Sequence, residues 1–334
     1  MVRTQPNTLL LAALAWSSLA VAASAQVKVD KELPEYKSVR AVSGQVSSVG
    51  SDTMNNLMTL WGEGFKKQYP RVVLAVEGKG SATAPQALIE GTAAFGPMSR
   101  DMKASEIDAF EKKFGYKPTQ LPVAIDMLAV YVHRDNPIKG LSLQQVDAIF
   151  SKTRKGGLPG EVRTWGDLGL DGEWKDKPIS AYGRNSASGT YGYFKEHALF
   201  GGDFKDSVKE QPGSSSVVQS VGRDKYAIGY SGIGYLTSEV RAVPLAGQSS
   251  DEFVPADPDH AYTGDYPLSR RLLLSLNYKP GAQLDPLRRE FVKYVYSQQG
   301  QQDVVKDGYY PVTARMAAAA LKSIGAAPVG AKGK

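Results

Sequence analysis

Apolar residues recur along this chain in two different periods, and segments of the two kinds alternate. "RVVLAVE" (Arg71–Glu77), "QLPVAIDMLAVYVH" (Gln120–His133), "YAIGYSGIGY" (Tyr226–Tyr235) and "RRLLLSLNY" (Arg270–Tyr278) are dense in β-branched or apolar residues, as buried strands are. Between them Met54, Leu57, Met58, Trp61 and Phe65 return at helical spacing, as do Leu287, Phe291, Tyr294 and Val295. Ser142 and Gln145 in "SLQQVDAIF" stand at the spacing of a capping box, and Pro85 in "APQALIEG" takes a first-turn position. Such alternation, with no repeat period, predicts an α/β architecture with a mostly parallel sheet.

In folds of this class ligands sit where strands end and helices begin, at the carboxyl edge of the sheet. Four junctions of this kind share a composition: "VGSDTMNN" (Val49–Asn56), "GKGSATAP" (Gly78–Pro85), "FGPMSRDM" (Phe95–Met102) and "GRNSASGTYGYF" (Gly183–Phe194). All are rich in Gly, Ser or Thr, and the last two carry Arg100 and Arg184. A helix's first turn exposes unpaired N–H groups and the positive end of its dipole. Glycine lets an anion approach the backbone, short hydroxyls donate to it, and a guanidinium fork matches two oxygens of a tetrahedral oxyanion. Any one junction alone reads as an ordinary capped helix start, since serine and threonine are common N-caps. Four together, two with arginine, read as the walls of an anion cage.

Composition narrows the alternatives. The 334 residues, 42% hydrophobic and 22% charged, suffice for two domains or one large one. Without a single cysteine, disulfides, thiolate catalysis, zinc–thiolate sites and iron–sulfur clusters are excluded. The net charge is +6, but the basic residues are interspersed with acidic ones, as in "DMKASEIDAFEKK", so nucleic acid is not expected as a partner. Arg3, an apolar run from Leu9 to Ala22 and the triplet Ala23-Ser24-Ala25 make residues 1–25 a secretory signal peptide, too short and alanine-rich for a span. Only His133, His197 and His260 are present, without metal spacing, so no metal site is expected. "GKGSAT" lacks the spacing of a P-loop, and "GYSGIG" lacks the last glycine of a nucleophile elbow. With no evident general base, no catalytic residue or cofactor is assigned. An exported phosphatase is the weaker reading, and an adhesin on the same scaffold is a third.

"GRNSASGT", with its Arg-x-x-x-Ser-Gly-Thr spacing, resembles the anion loop of the PstS-type phosphate-binding proteins of phosphate ABC transporters. The resemblance runs over nearly the whole mature chain, through "GSDTM", "GKGS", "FGPMSRDM", "IGYSGIGY" and "YPLSRRLLLSLNY" in order. It implies a two-lobe periplasmic-binding-protein fold of type II, with two crossing strands as hinge. The first lobe would span residues 26–127, the second 128–267, and the first would resume over 268–334. It implies capture of inorganic phosphate by a periplasmic monomer for a membrane ABC permease; another oxyanion such as sulfate or molybdate is the alternative. Carried over by motif, Thr53 and Met54 offer a hydroxyl and a backbone N–H, and Ser81 donates from the second loop. Arg184, Ser188, Gly189 and Thr190 form the other half of the cage. One departure concerns the third loop, where family members have a Ser-Asp pair whose carboxylate accepts a phosphate proton. Here Ser99-Arg100-Asp101 stands instead. Either Asp101 is displaced into that role or Arg100 binds the anion and Asp52, or less directly Asp126, takes the proton.

Removal of the leader after Ala25 follows from the small-residue triplet. N-terminal mass spectrometry of the exported protein is expected to find Gln26 first; a retained Met1 would refute it.

Overall fold

A computed structural model describes residues 27–326; the predicted leader lies outside them. The first segment, residues 27–42, straps across the lower part of the first lobe. Asp30 Oδ2 accepts from Ala314 N at 2.8 Å, Gln298 Nε2 donates to the Leu33 carbonyl at 2.8 Å, and Tyr36 Oη reaches Glu290 at 3.1 Å. The chain then alternates strictly: β1 (Gly44–Val49), α1 (Asn55–Gln68), β2 (Val72–Glu77), α2 (Thr83–Glu90), β3 (Gly96–Met98) and α3 (Ala104–Phe114). Strand β1 pairs in parallel with β2, and Ser48 bridges in parallel to Phe95 beside β3. Helix α1 buries Leu57, Met58, Trp61 and Phe65, the stripe that the helical spacing predicts. Helix α2 ends at Gly91, whose φ of 74° is the left-handed conformation that stops a helix.

The longest strand, β4 (Thr119–His133), leaves this body. All its residues from Val123 to Val132 are buried, which explains a near-continuous apolar run with no alternation. The second body follows: β5 (Leu141–Ser142), α4 (Leu143–Phe150), β6 (Ser180–Arg184), α5 (Gly189–His197), β7 (Lys209–Gln211) and α6 (Ser214–Arg223). It closes with β8 (Ala227–Gly232), β9 (Val240–Ala242) and β10 (Leu245–Ala246). The chain returns along β11 (Ser269–Leu276) and finishes with α7 (Pro286–Val295), α8 (Gln298–Lys306), β12 (Tyr310–Pro311) and α9 (Ala314–Ser323).

The register of β4 states how the bodies join. Up to Met127 it pairs with β11, and from Leu128 it pairs with β8. The central strand order is β3-β11-β4-β8-β6-β7. Two lobes of α/β structure therefore hang on two adjacent crossing strands, the type II arrangement. The sheet is mixed rather than mostly parallel: β6 runs parallel to β7 and β8, but β4 is antiparallel to β8, β9, β11 and β12. Periodicity reports burial, not strand direction, so the sequence could not show this. It also passed over β1 and β6, whose "GQVSSV" and "SAYGR" are short and polar.

Each lobe has its own aromatic packing. Phe65 meets Phe291 edge-on at 5.4 Å in the first, and Phe194 stacks on Tyr230 at 3.8 Å in the second. The stack seats α5 on β8, which fixes where the first turn of α5 points.

The capping box at α4 is present in both directions. Ser142 Oγ accepts from Gln145 N at 3.2 Å, and Gln145 Oε1 accepts from Ser142 N at 2.9 Å. Ser142→Ala is expected to lower unfolding stability by about 1 kcal/mol, the usual cost of losing such a cap. Urea denaturation of wild type and variant checks this; an unchanged midpoint would contradict it.

Candidate anion-binding site

Strand ends bring the predicted loops to one place. The turn after β1 presents Ser51, Asp52 and Thr53; the loop after β2 presents Ser81; Ser99 directly follows β3; and Arg184 is the last residue of β6. Their hydroxyls touch across the lobes. Thr53 Oγ1 lies 2.8 Å from Thr190 Oγ1 and 3.4 Å from Ser214 Oγ. Ser81 Oγ lies 3.3 Å from Ser99 Oγ and accepts from Ser99 N at 3.0 Å, while Ser51 Oγ donates to Ser99 Oγ at 3.0 Å. Ser188 caps α5, its Oγ accepting from Tyr191 N at 3.3 Å.

Two glycines make this closeness possible. At Gly80, with φ of 105°, a Cβ would stand 2.5 Å from the Ala187 carbonyl oxygen of the other lobe. A Cβ on Gly189 would stand 2.2 Å from Ser81 Oγ and 2.7 Å from Ser99 Oγ. The first residue of α5 thus presses its bare backbone against the first lobe's hydroxyls. Its N–H has no acceptor within the helix, and the helix dipole makes that end positive.

Two buried guanidiniums flank the cluster. Arg184 is 3% exposed; its Nη1 donates to Ser214 Oγ at 2.7 Å and stands 3.2 Å from Asp52 Oδ2. Burial holds it below the ordinary arginine range, opposed by the Asp52 charge. Its Nε is buried without a hydrogen-bond partner. The second guanidinium, Arg270, was not singled out from the sequence. Its Nε and Nη2 bind Asp126 Oδ2 at 2.9 and 2.7 Å, Nη1 donates to the Ser99 carbonyl at 2.9 Å, and Nη2 donates to Thr190 Oγ1 at 3.0 Å. The Tyr193 ring lies against it, 5.4 Å from Cζ to centroid.

The direction of these bonds decides what the cluster wants. A guanidinium only donates, so Thr190 and Ser214 must accept from Arg270 and Arg184. Their own hydroxyl hydrogens are then turned away, and Thr53 Oγ1 is the neighbour they share. Two second-lobe hydroxyls thus stand against one first-lobe hydroxyl, and the Arg184 Nε is buried without a partner. A group rich in acceptor oxygens, an oxyanion, answers that arrangement.

Not every expected residue belongs to it. The Arg100 guanidinium is clamped by Glu106, Nη1 to Oε2 at 2.8 Å and Nη2 to Oε1 at 2.7 Å, and it does not join the hydroxyl cluster. Asp101 is exposed, on the wall of a cleft of about 1060 Å³ that Arg100 and Arg270 also line. The Met54 N–H is taken by the Ser51 carbonyl at 3.2 Å. Asp126 is engaged on both oxygens, with Ile233 N donating to Oδ1 at 2.9 Å. Ser214 escaped the sequence reading, although "QPGSSSVV" carries the same Gly/Ser signal before a helix as the other loops.

Comparisons with known proteins place the chain in a family. A family model for a PBP superfamily domain matches residues 37–299. Phosphate-binding protein PstS of Pseudomonas aeruginosa is 56% identical over 95% of this chain and 98% of its own length. The chain belongs to the PstS family of the PBP superfamily. PstS of Bacillus subtilis is 28% identical over 83% of the chain and 84% of its own. Among solved structures, a phosphate ABC transporter substrate-binding protein of Clostridium perfringens with bound phosphate superposes with a TM-score of 0.68. It is 27% identical, covering 81% of this chain and all of its own. The two-lobe PstS architecture is thus shared. No helix among the described residues is long and apolar enough to cross a membrane.

Under the site, in the turn between α8 and β12, burial and the Asp126 charge push the Asp307 carboxyl up to about 7. The folded protein therefore keeps a proton that the unfolded chain releases near pH 3.9. Stability from this group is fully present below about pH 4, falls as pH rises, and is gone above about 7. Asp307→Asn should flatten that slope and raise stability at pH 8 by about 1–2 kcal/mol, allowing for its partly solvated edge. Denaturation midpoints at pH 5, 6, 7 and 8 test this, and identical pH slopes would rule it out.

Proposed function

We propose that this protein captures inorganic phosphate in the periplasm, as a monomer, and delivers it to the membrane permease of a phosphate ABC transporter. The observation that carries the reading is the buried Arg184 guanidinium, its Nε unpartnered, set beside hydroxyls whose hydrogens two arginines turn inward. Family membership and the phosphate named for its relatives support the choice of anion.

In this reading Thr53, Ser81, Ser99 and Thr190 donate hydroxyl hydrogens, and Gly189 its N–H. Arg184 supplies the fixed charge, and Ser188 holds the first turn of α5 in place. Arg270 acts from behind Thr190. Met54 stays at the margin, and Arg100 serves α3 through Glu106. The lobes divide at 26–127, 128–267 and 268–334, a partition supported by the change of β4's partner between Met127 and Leu128. Opening separates the donors, and closing gathers them on the ligand. No step here makes or breaks a covalent bond, so the protein acts by binding and release.

Arg184→Ala should weaken phosphate binding by about 3–5 kcal/mol, the scale for stripping a buried ionic contact of its partner. Arg184→Lys should recover only part, because a point charge cannot make the two-pronged contact. Isothermal titration of folded wild type and both variants with phosphate and sulfate is the measurement. Unchanged phosphate affinity in Arg184→Ala would remove the claim.

A further inference from the structure

The Asp52 side chain leaves its own lobe. It stands in the turn between β1 and α1, yet its Oδ2 accepts from Ser214 N at 2.8 Å and lies 3.2 Å from Arg184 Nη1, both in the second lobe. Ser214 opens α6, so the carboxylate meets a helix N-terminus as well as a guanidinium. Its other oxygen faces the same lobe: a Cβ on Gly213 would lie 3.2 Å from Oδ1. The backbone of the turn is gripped too. Tyr235 Oη, again from the second lobe, donates to the carbonyls of Asp52 and Thr53 at 3.1 and 3.2 Å. From the first lobe, Tyr309 Oη donates to the same Thr53 carbonyl at 2.9 Å.

A carboxylate that accepts a ligand's proton must direct an oxygen at the ligand. The Asp52 oxygen with named partners, Oδ2, is instead taken by Ser214 N and the Arg184 guanidinium. We propose that Asp52 and Tyr235 form an inter-lobe clasp that sets how long the lobes stay shut. They are positioning residues, acting on the anion only through Arg184 and Thr53. This rests on the phosphate reading above, and it deepens it by separating closure from recognition. Each clasp bond joins atoms that part when the lobes open. Weakening one therefore accelerates opening and release, while the encounter with a free anion is left nearly alone.

The test is stopped-flow phosphate binding and release with the mature wild type, Asp52→Asn and Tyr235→Phe, plus the phosphate-to-sulfate affinity ratio for each. Tyr235→Phe removes one hydroxyl from a partly exposed ring and spares the fold if Asp52→Asn proves poorly folded. Both variants are expected to release phosphate about tenfold faster, the scale of one lost bond to a carbonyl or charged group. Association should stay within about threefold, and the ratio should not change. A ratio that collapses in Asp52→Asn alone would overturn the clasp and make the carboxylate a proton acceptor. Unaltered release in Tyr235→Phe would also overturn it. If wild type bound no phosphate, the functional reading would fall by itself. The clasp would then be judged by small-angle scattering: a larger radius of gyration for Tyr235→Phe supports it, and equal radii refute it.

Discussion

The ion pair between Asp126 and Arg270 ties the two crossing strands together beside the donor cluster. It lies on the two crossing strands, with the Asp126 side chain fully buried and Arg270 scarcely less so. Burying two charges is costly unless every remaining donor and acceptor finds a partner. Here Ile233 N satisfies one carboxylate oxygen, while the Ser99 carbonyl and the Thr190 hydroxyl take the guanidinium's outward hydrogens. Those partners come from both lobes. The pair's satisfaction and the shut arrangement of the donor cluster are therefore one condition, and loss of either member would leave an uncompensated charge at the hinge.

The longest elements were legible because they are buried in patterns that period reveals, while the two-lobe division came from the family resemblance. β4, β11 and α1 announce themselves in that way. β1 and β6 do not, since their small polar residues serve the loops that follow them more than the core. The site was legible in part for a chemical reason. Arg184, Ser81, Ser99 and Thr190 sit in or beside loops whose composition departs from ordinary capping, so they draw attention. Arg270 sits inside an apolar strand, where one charge among leucines reads as the edge of a pattern. Its meaning depends on Asp126, 144 positions earlier, and on a register that only the folded sheet supplies. Arg100 misleads for the opposite reason: its loop has the right composition, and a carboxylate six residues on in α3 claims it.

Asp52 illustrates how one residue type can answer two demands. As a residue at a helix start it reads as a cap, and beside an anion loop it reads as a ligand. Neither role accounts for its contacts, which run to the other lobe. In the proposed clasp the same side chain serves mechanics rather than recognition.

The strap of residues 27–42 and helix α9 both lie on the first lobe, tied by Asp30 to the start of that helix. Among the described residues the chain therefore passes between lobes only twice, along β4 and into β11, strands hydrogen-bonded side by side. Two joined ribbons resist sliding and stretching but yield to bending and twisting about a line that crosses them. The second lobe is in effect a single inserted module swinging on a door hinge, with few soft directions open to it. A fluorophore on α9 and another on α4 would then report that swing almost as a single angle, and attachments near either described end would ride with the frame rather than the door.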